Sequence, residues 1–262
     1  MKVTIIGNGY VGKATKLLLR RSGVEEPTSN DFLSDVLIYD NVPDKSECSL
    51  KEALNGDLFF VCVPTPMRRN GSCDLSVVEN VIRTLIDNGI PSTNIILRST
   101  VPVGTCDRLK VNFMPEFLTE ANWREDVKNT QDWIIGVLDP VCELKIVLPK
   151  ILEGNLHFCP NKEVELVKYV RNCFLATKVS FFNEINNFCE EKNIKYQHVK
   201  ELVTLDPRIN ESHTCVPGTD GKKGFGGTCF PKDMHSLSFQ MQNALVVPHL
   251  IKAAIDRNEI VD

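Results

Sequence analysis

The segment 224–233 concentrates most of the chemistry this sequence can offer. It reads Gly224-Phe225-Gly226-Gly227-Thr228-Cys229-Phe230-Pro231-Lys232-Asp233. Three glycines beside one cysteine leave room for a substrate to come close to the thiol. Lys222, Lys223 and Lys232 are near in sequence and would favour the thiolate. A thiolate close to a hydride acceptor suggests covalent catalysis. The same spacing also fits an unreactive thiol, and the residues alone leave both readings open.

A candidate for holding the hydride acceptor stands at the other end of the chain. Gly7-Asn8-Gly9-Tyr10-Val11-Gly12 is G-x-G-x-x-G directly after an apolar run and opening a helical pattern. The first glycine allows the tight turn, the second lets backbone approach a pyrophosphate, and the third lets helix and strand pack closely. The helix N-terminus then turns unpaired N–H groups and a positive dipole end toward the phosphates. Asp40 ends the second apolar run, where an acid binds both ribose hydroxyls of NAD and repels the 2′-phosphate of NADP. It lies farther from Gly12 than the usual spacing of about 20 residues, and a polar loop insertion over 22–35 accounts for the excess. NAD is the cofactor these residues predict, held by Gly7, Gly9, Tyr10, Val11, Gly12 and Asp40.

The elements that position these groups follow from the apolar spacing. Strands are predicted at 2–6, 36–39, 57–63, 94–98, 111–114, 133–137 and 156–158. Helical patterns at 11–21, 50–54, 75–88, 105–109 and 141–152 separate them. Apolar strands alternating with helices predict an α/β fold, a Rossmann-type doubly wound parallel sheet covered on both faces. The pattern changes after Pro160. Residues 163–192 contain neither Pro nor Gly, and apolar residues recur in steps of three and four. That predicts one long amphipathic helix, suited to an inter-domain spine or a homodimer interface. A shorter helix at 198–204, an irregular glycine-rich stretch at 216–231 and a helical segment at 234–260 broken near Pro248 complete an all-helical region. The domains expected are 1–160 for the dinucleotide and 161–262 as a central helical domain for dimerisation and catalysis.

Composition narrows the function classes. The 262 residues are 42% hydrophobic and 24% charged, near the globular average. A net charge of -4 supplies no basic field for nucleic acid or an anionic membrane. No apolar run approaches the roughly 18 residues of a membrane span. The start Met1-Lys2-Val3-Thr4-Ile5-Ile6-Gly7 enters a strand at once, so a cytoplasmic protein without a signal peptide is expected. Ten scattered cysteines contain no C-x-x-C pair, and the five histidines lie far apart. Neither a disulfide framework nor a metal site is expected.

The motifs together resemble the UDP-glucose/GDP-mannose dehydrogenase family. GNGYVG (7–12), VCVPTP (61–66), STVPVGT (99–105), PEFLTE (115–120), ATKVSFFNEIN (176–186), DPRI (206–209) and GFGGTCFPKD (224–233) carry the resemblance, in the family's order and over nearly the whole chain. It implies oxidation of the C6 alcohol of a nucleotide sugar, UDP-glucose to UDP-glucuronate first, for polysaccharide synthesis, with two NAD per sugar. Cys229 would be the nucleophile, passing through a thiohemiacetal and a thioester. Thr100 and Asp233 would hold the water, and Glu116 would be a base for hydrolysis. Lys178 and Asn183 would stabilise oxyanion charge and contact the sugar. Thr65, Thr100 and Glu120 would lie along the cofactor. Phe225, Gly226 and Lys232 would line the substrate, and Arg208 would reach the substrate of a dimer partner.

Spacing alone suggests less. Lys178 and Asn183 are five apart and point about 140° from each other on an ideal helix. Glu116 and Glu120 have the spacing of an exposed helical face, and Asp233 has the chemistry of an N-cap. The chain also departs from the family pattern. Met114 stands where asparagine is usual, Ala121-Asn122 replaces a glycine, and residues 219–223 are inserted ahead of the cysteine loop. Family members continue into a further domain for the nucleotide half of the substrate, and this sequence ends at Asp262, before such a domain. A catalytically weak NAD-binding subunit that needs a partner chain is therefore an alternative. A two-electron dehydrogenase on a smaller hydroxy acid is another, with no use for Cys229.

Overall fold

The computed structural model describes residues 1–21, 32–119, 122–139 and 141–260. Glu120, Ala121 and most of the polar insertion at 22–35 lie outside the described residues. The chain forms two compact units. One comprises Met1–Pro66 and Asp74–Lys168, the other Met67–Cys73 and Tyr169–Asp262.

The first unit is built on a seven-stranded sheet. Its strands are β1 (Lys2–Ile6), β2 (Asp35–Tyr39), β3 (Leu58–Val61), β4 (Ile95–Leu97), β5 (Asn112–Phe113), β6 (Asp132–Val137) and β7 (Asn155–Pro160). They lie in the order β2-β1-β3-β4-β5-β6-β7. All pairings are parallel except β5 with β6. The sheet is thus mostly parallel, as the strand pattern predicts, and mixed at one position. That contact is a single register pair, Phe113 with Gly136, too short to leave a signature in residue pattern. Helices α1 (Tyr10–Arg21), α2 (Leu50–Ala53), α3 (Ser76–Asp87), α4 (Thr105–Leu109), α5 (Trp123–Asn129) and α6 (Leu144–Val147) connect the strands. One face buries Val3, Ile5, Leu18 and Phe60, the other Phe59, Val61, Ile82 and Leu97. Central strands buried on both faces explain their unbroken apolar runs.

Helix α7 (Asn161–Glu191) follows directly on β7. It stops where Asn193 takes a left-handed conformation, φ 56°, and the Ile194 N–H reaches back to the Cys189 carbonyl. Asparagine tolerates that helix-ending geometry better than most residues. The second unit adds α8 (Tyr196–Val203), α9 (Phe230–Asn243) and α10 (His249–Glu259). Tyr169, Cys173 and Ala176 on α7 pack with Phe225, Met234, Leu237, Ala254 and Ile255. Another face of α7 exposes Val170, Phe174, Phe181 and Phe188. No helix among the described residues is long and apolar enough to cross a membrane.

Candidate active site

In the first unit β1 delivers the chain into the glycine loop. Gly7 has φ 99° and its N–H donates to the Tyr39 carbonyl. A Cβ at Gly12 would stand 1.9 Å from the Gly7 carbonyl oxygen, a backbone collision no rotamer relieves. A Cβ at Gly9 would meet nothing within 4 Å, so the loop keeps an open cradle at the start of α1. Asp40 accepts the N–H groups of Asn8 at 2.7 Å and Val42 at 2.9 Å. A carboxylate has about four acceptor positions, which leaves capacity for two ribose hydroxyls. The Asn8 Oδ1 is buried without a hydrogen-bond partner among the described residues, an acceptor that a ribose hydroxyl would satisfy. A groove lined by Tyr39, Asp40, Pro43, Ser46 and Cys48 opens beside it. These residues fit a dinucleotide.

Two loops at the C-terminal ends of β3 and β4 are tied together. The Thr65 hydroxyl donates to the Thr100 carbonyl at 2.9 Å, and the Ser99 hydroxyl to the Val63 carbonyl at 2.6 Å. The next stretch is capped from α7, where the buried Glu165 accepts the N–H groups of Gly104 and Cys106. Glu116 is buried as well. Its carboxylate accepts the Lys168 ammonium at 2.9 Å, the Leu118 N–H at 2.7 Å and, more distantly, the Tyr10 hydroxyl. Lys168 also donates to the Glu116 carbonyl at 2.6 Å. Burial pushes the Glu116 pKa up, but the Lys168 charge and hydrogen bond, the Leu118 amide and the Arg98 charge outweigh it and leave the group below the ordinary glutamate range. The buried Cys62 thiol is pushed up to about 11 by desolvation, so it stays a thiol.

In the second unit Cys229 is half-buried and immediately precedes α9. Its carbonyl accepts the Asp233 N–H. Asp233 therefore sits one turn inside the helix and does not cap it. Its side chain is buried and accepts Asn172 Nδ2 at 2.6 Å and the Lys232 ammonium at 2.5 Å. The glycine loop is held by amides. Asn183 Oδ1 accepts the Gly224 N–H at 2.9 Å, and Asn258 pairs with both backbone groups of Phe225. The Phe225 ring lies in the core of this unit, while Gly226 is exposed. Lys178 reaches a different segment, donating to the Ile209 carbonyl at 2.6 Å and to Asn210. Burial lowers its pKa. Lys178 and Asn183 thus tie α7 to two separate loops, as their angular separation on the helix implies. Arg208 forms a forked pair with Asp206 and is otherwise exposed.

Three residues absent from the sequence reading complete these arrangements. Lys168, Asn172 and Asn258 each hold a candidate group more than thirty positions away. The only local signal was a polar residue on an otherwise apolar helix face. His213 is a fourth neighbour, with its ring 5.7 Å from that of Phe230 and its pKa lowered by burial and by the Lys178 charge.

Comparison with known proteins bears on both units. The model of the UDP-glucose/GDP-mannose dehydrogenase family, NAD binding domain, matches residues 20–153. The model of that family's central domain matches residues 162–260. A UDP-glucose 6-dehydrogenase of Rickettsia prowazekii (strain Madrid E) is 29% identical over 297 residues, covering 99% of this chain and 67% of the relative. One from Rhizobium meliloti (strain 1021) is 28% identical, covering 99% and 68%. The chain spans about two thirds of the length of these relatives. Among solved structures, a UDP-glucose dehydrogenase from the archaeon Pyrobaculum islandicum superposes with a TM-score of 0.83 at 26% identity, over 98% of this chain and 68% of its own. A 3-hydroxyisobutyrate dehydrogenase of Mycobacterium tuberculosis shares the fold, with a TM-score of 0.69 at 16% identity over 97% and 91%.

Proposed function

This chain belongs to the UDP-glucose/GDP-mannose dehydrogenase family, as an NAD-dependent oxidoreductase acting on CH–OH groups, and from that premise we propose that it oxidises the C6 alcohol of a nucleotide sugar, UDP-glucose first, to the carboxylate through a covalent bond to Cys229. One observation carries the reading. The single cysteine of the glycine loop stands at the start of α9, with the loop clamped by Asn183 and Asn258 and a buried carboxylate, Asp233, one turn on. A two-electron dehydrogenase would have no use for that cysteine.

Gly7, Gly9, Gly12 and Asp40 would hold NAD, which when bound would supply the hydride acceptor for both oxidations. The Cys229 sulfur attacks the C6 aldehyde carbon, and the thiol proton passes to the carbonyl oxygen, giving a thiohemiacetal. After the second oxidation the same carbon is held as a thioester. Water adds to it, the C–S bond breaks, and the thiol and a carboxylate result. Glu116 takes the proton of that water, and Asp233 and Thr100 orient it. Lys178 and Asn183 carry donors suited to the developing oxyanion. Arg208, Phe225, Gly226 and Lys232 are assigned to the substrate, and Thr65 and Glu120 to the cofactor. Val170, Phe174, Phe181 and Phe188 on the exposed face of α7 supply the surface of a homodimer.

NADH formation with excess NAD and limiting UDP-glucose tests the reading. Two NADH per sugar is the expected result. One NADH per sugar would exclude the thioester route. NAD binding without turnover on any nucleotide sugar would favour a subunit that needs a partner chain.

A further inference from the structure

Glu165 lies on α7 with no exposure to solvent. Its carboxylate uses both oxygens on the backbone of one short stretch. Oε2 accepts the Gly104 N–H, and Oε1 accepts the Cys106 N–H at 2.8 Å. The two amides are 61 and 59 positions away, so only the fold brings them to the carboxylate. The Cys106 thiol is a further neighbour, and Asp107 adds a like charge. Burial raises the Glu165 pKa, and the two amides and the thiol work against it. Its direct partners are thus hydrogen-bond donors rather than a cation. Burying a carboxyl is unfavourable, and these two bonds offset that cost.

The two amides sit at the turn into α4. Gly104 has φ 89° and directly precedes Thr105, the first residue of that helix. The stretch before the turn leaves β4 and carries Thr100. Its start is tied to the end of β3. The Arg98 N–H donates to the Val61 carbonyl at 2.8 Å, the Ser99 hydroxyl to the Val63 carbonyl, and the Thr65 hydroxyl to the Thr100 carbonyl. Only Val101, Pro102 and Val103 stand between those ties and Gly104. The segment is therefore clamped at both ends, by the end of β3 on one side and by Glu165 on the other. Over so short a span, a shift at Gly104 is transmitted to Thr100.

We propose that Glu165 is a positioning residue for the dinucleotide site, holding the 98–106 segment so that Thr100 and Thr65 keep their places along the cofactor. The proposal rests on the reading of Thr100 as a cofactor residue. Glu165 is fully buried and acts through the segment, not on the cofactor.

The test is a double-mutant cycle on the whole chain, read by calorimetric titration with NAD and by amide exchange. Glu165→Gln keeps the shape, offers one acceptor oxygen and turns an NH2 group on the second amide. Exchange at Gly104 and Cys106 should become about tenfold faster or more. NAD should bind about tenfold more weakly in Glu165→Gln, and about threefold to tenfold more weakly in Thr100→Ala. The double variant should lose no more than the larger single loss, because both changes act through one segment. Glu165→Asp keeps the charge and shortens the reach by one methylene, and it reads the same weakening should Glu165→Gln not fold. Losses that multiply in the double variant overturn the proposal, because Glu165 would then act on the fold at large. Unchanged NAD affinity in Glu165→Gln and Glu165→Asp overturns it too. If Thr100→Ala binds NAD as tightly as the original, the reading of Thr100 as a cofactor residue fails, and the proposal falls with it. Neither measurement uses a sugar, so a wrong choice of substrate leaves the outcome untouched.

Discussion

Glu116 in the first unit and Asp233 in the second are both buried carboxylates, and α7 holds each of them differently. Glu116 meets Lys168, a buried cation. Asp233 meets the neutral amide of Asn172, and its cation, Lys232, is its own chain neighbour and partly exposed. A buried cation commits its partner to the charged state, and removing either member strands a charge. An amide supplies a hydrogen bond without a charge. The first unit therefore holds its carboxylate by electrostatics. The second holds its reactive loop by hydrogen bonds to backbone, through Asn183 and Asn258.

Activity should separate the two regions most. Cys229→Ser should lower NADH formation by about a thousandfold or more, as loss of a nucleophile does. Its unfolding free energy should stay within about 0.5 kcal/mol of the original, because the position is half-buried and serine is close to cysteine in size. A serine variant that loses stability instead would break the contrast.

Stability should separate them in the opposite sense. Lys168→Met should cost about 3–5 kcal/mol, the usual penalty for stranding a buried charge. Adding Glu116→Gln should recover most of that loss. Asn172→Ala removes one neutral donor and should cost about 1–3 kcal/mol. Urea unfolding of the four proteins measures all of these. Equal costs at Lys168 and Asn172 would mean that charge makes no difference between the two carboxylates.

Much of the fold was legible in the sequence, and the holding residues were not. β1 is predicted at its observed bounds because Lys2–Ile6 is a short apolar run against a glycine turn. α7 is predicted to within two residues at its start and one at its end because nothing in 161–191 breaks a helix. α9 begins earlier than expected, at Phe230, because Pro231 suits the first turn of a helix. α5 (Trp123–Asn129) is missing from the sequence reading, having one buried residue and so no apolar stripe. The cysteine and the glycine loops announce themselves by type. Lys168, Asn172 and Asn258 do not, because their partners are 52, 61 and 33 positions away. A lysine in a helix reads as a solvated surface residue until the fold brings a carboxylate to it.

Acid should sharpen the contrast further. The Glu116 pKa is lowered in the folded state, so its ionisation contributes stability above the unfolded value of about 4.3 and loses it as pH falls through the folded value. The loss amounts to about 1.4 kcal/mol for each unit of depression. Unfolding free energies measured from neutral pH down to acid should fall more steeply in the original than in Glu116→Gln. Parallel curves would show that the Lys168 pair exerts no net hold on the Glu116 proton.

The smallest effect should come from a charge pair that looks similar on paper. Lys223 lies 3.3 Å from Glu190 in the second unit, beside the glycine loop. Both side chains reach solvent, at 30% and 58% exposure. Water and salt already screen such a pair, and ordering two long side chains offsets the remaining attraction. Lys223→Met should therefore leave the unfolding midpoint unchanged, and salt should not move it in either protein. The loop takes its position from Asn183 and Asn258, which donate to or accept from the backbone itself. If Lys223→Met instead loosened the loop, seen as faster amide exchange at Gly224 and Phe225, electrostatics would hold the second unit's reactive segment as well, and the division drawn between the two units would fail at the cysteine.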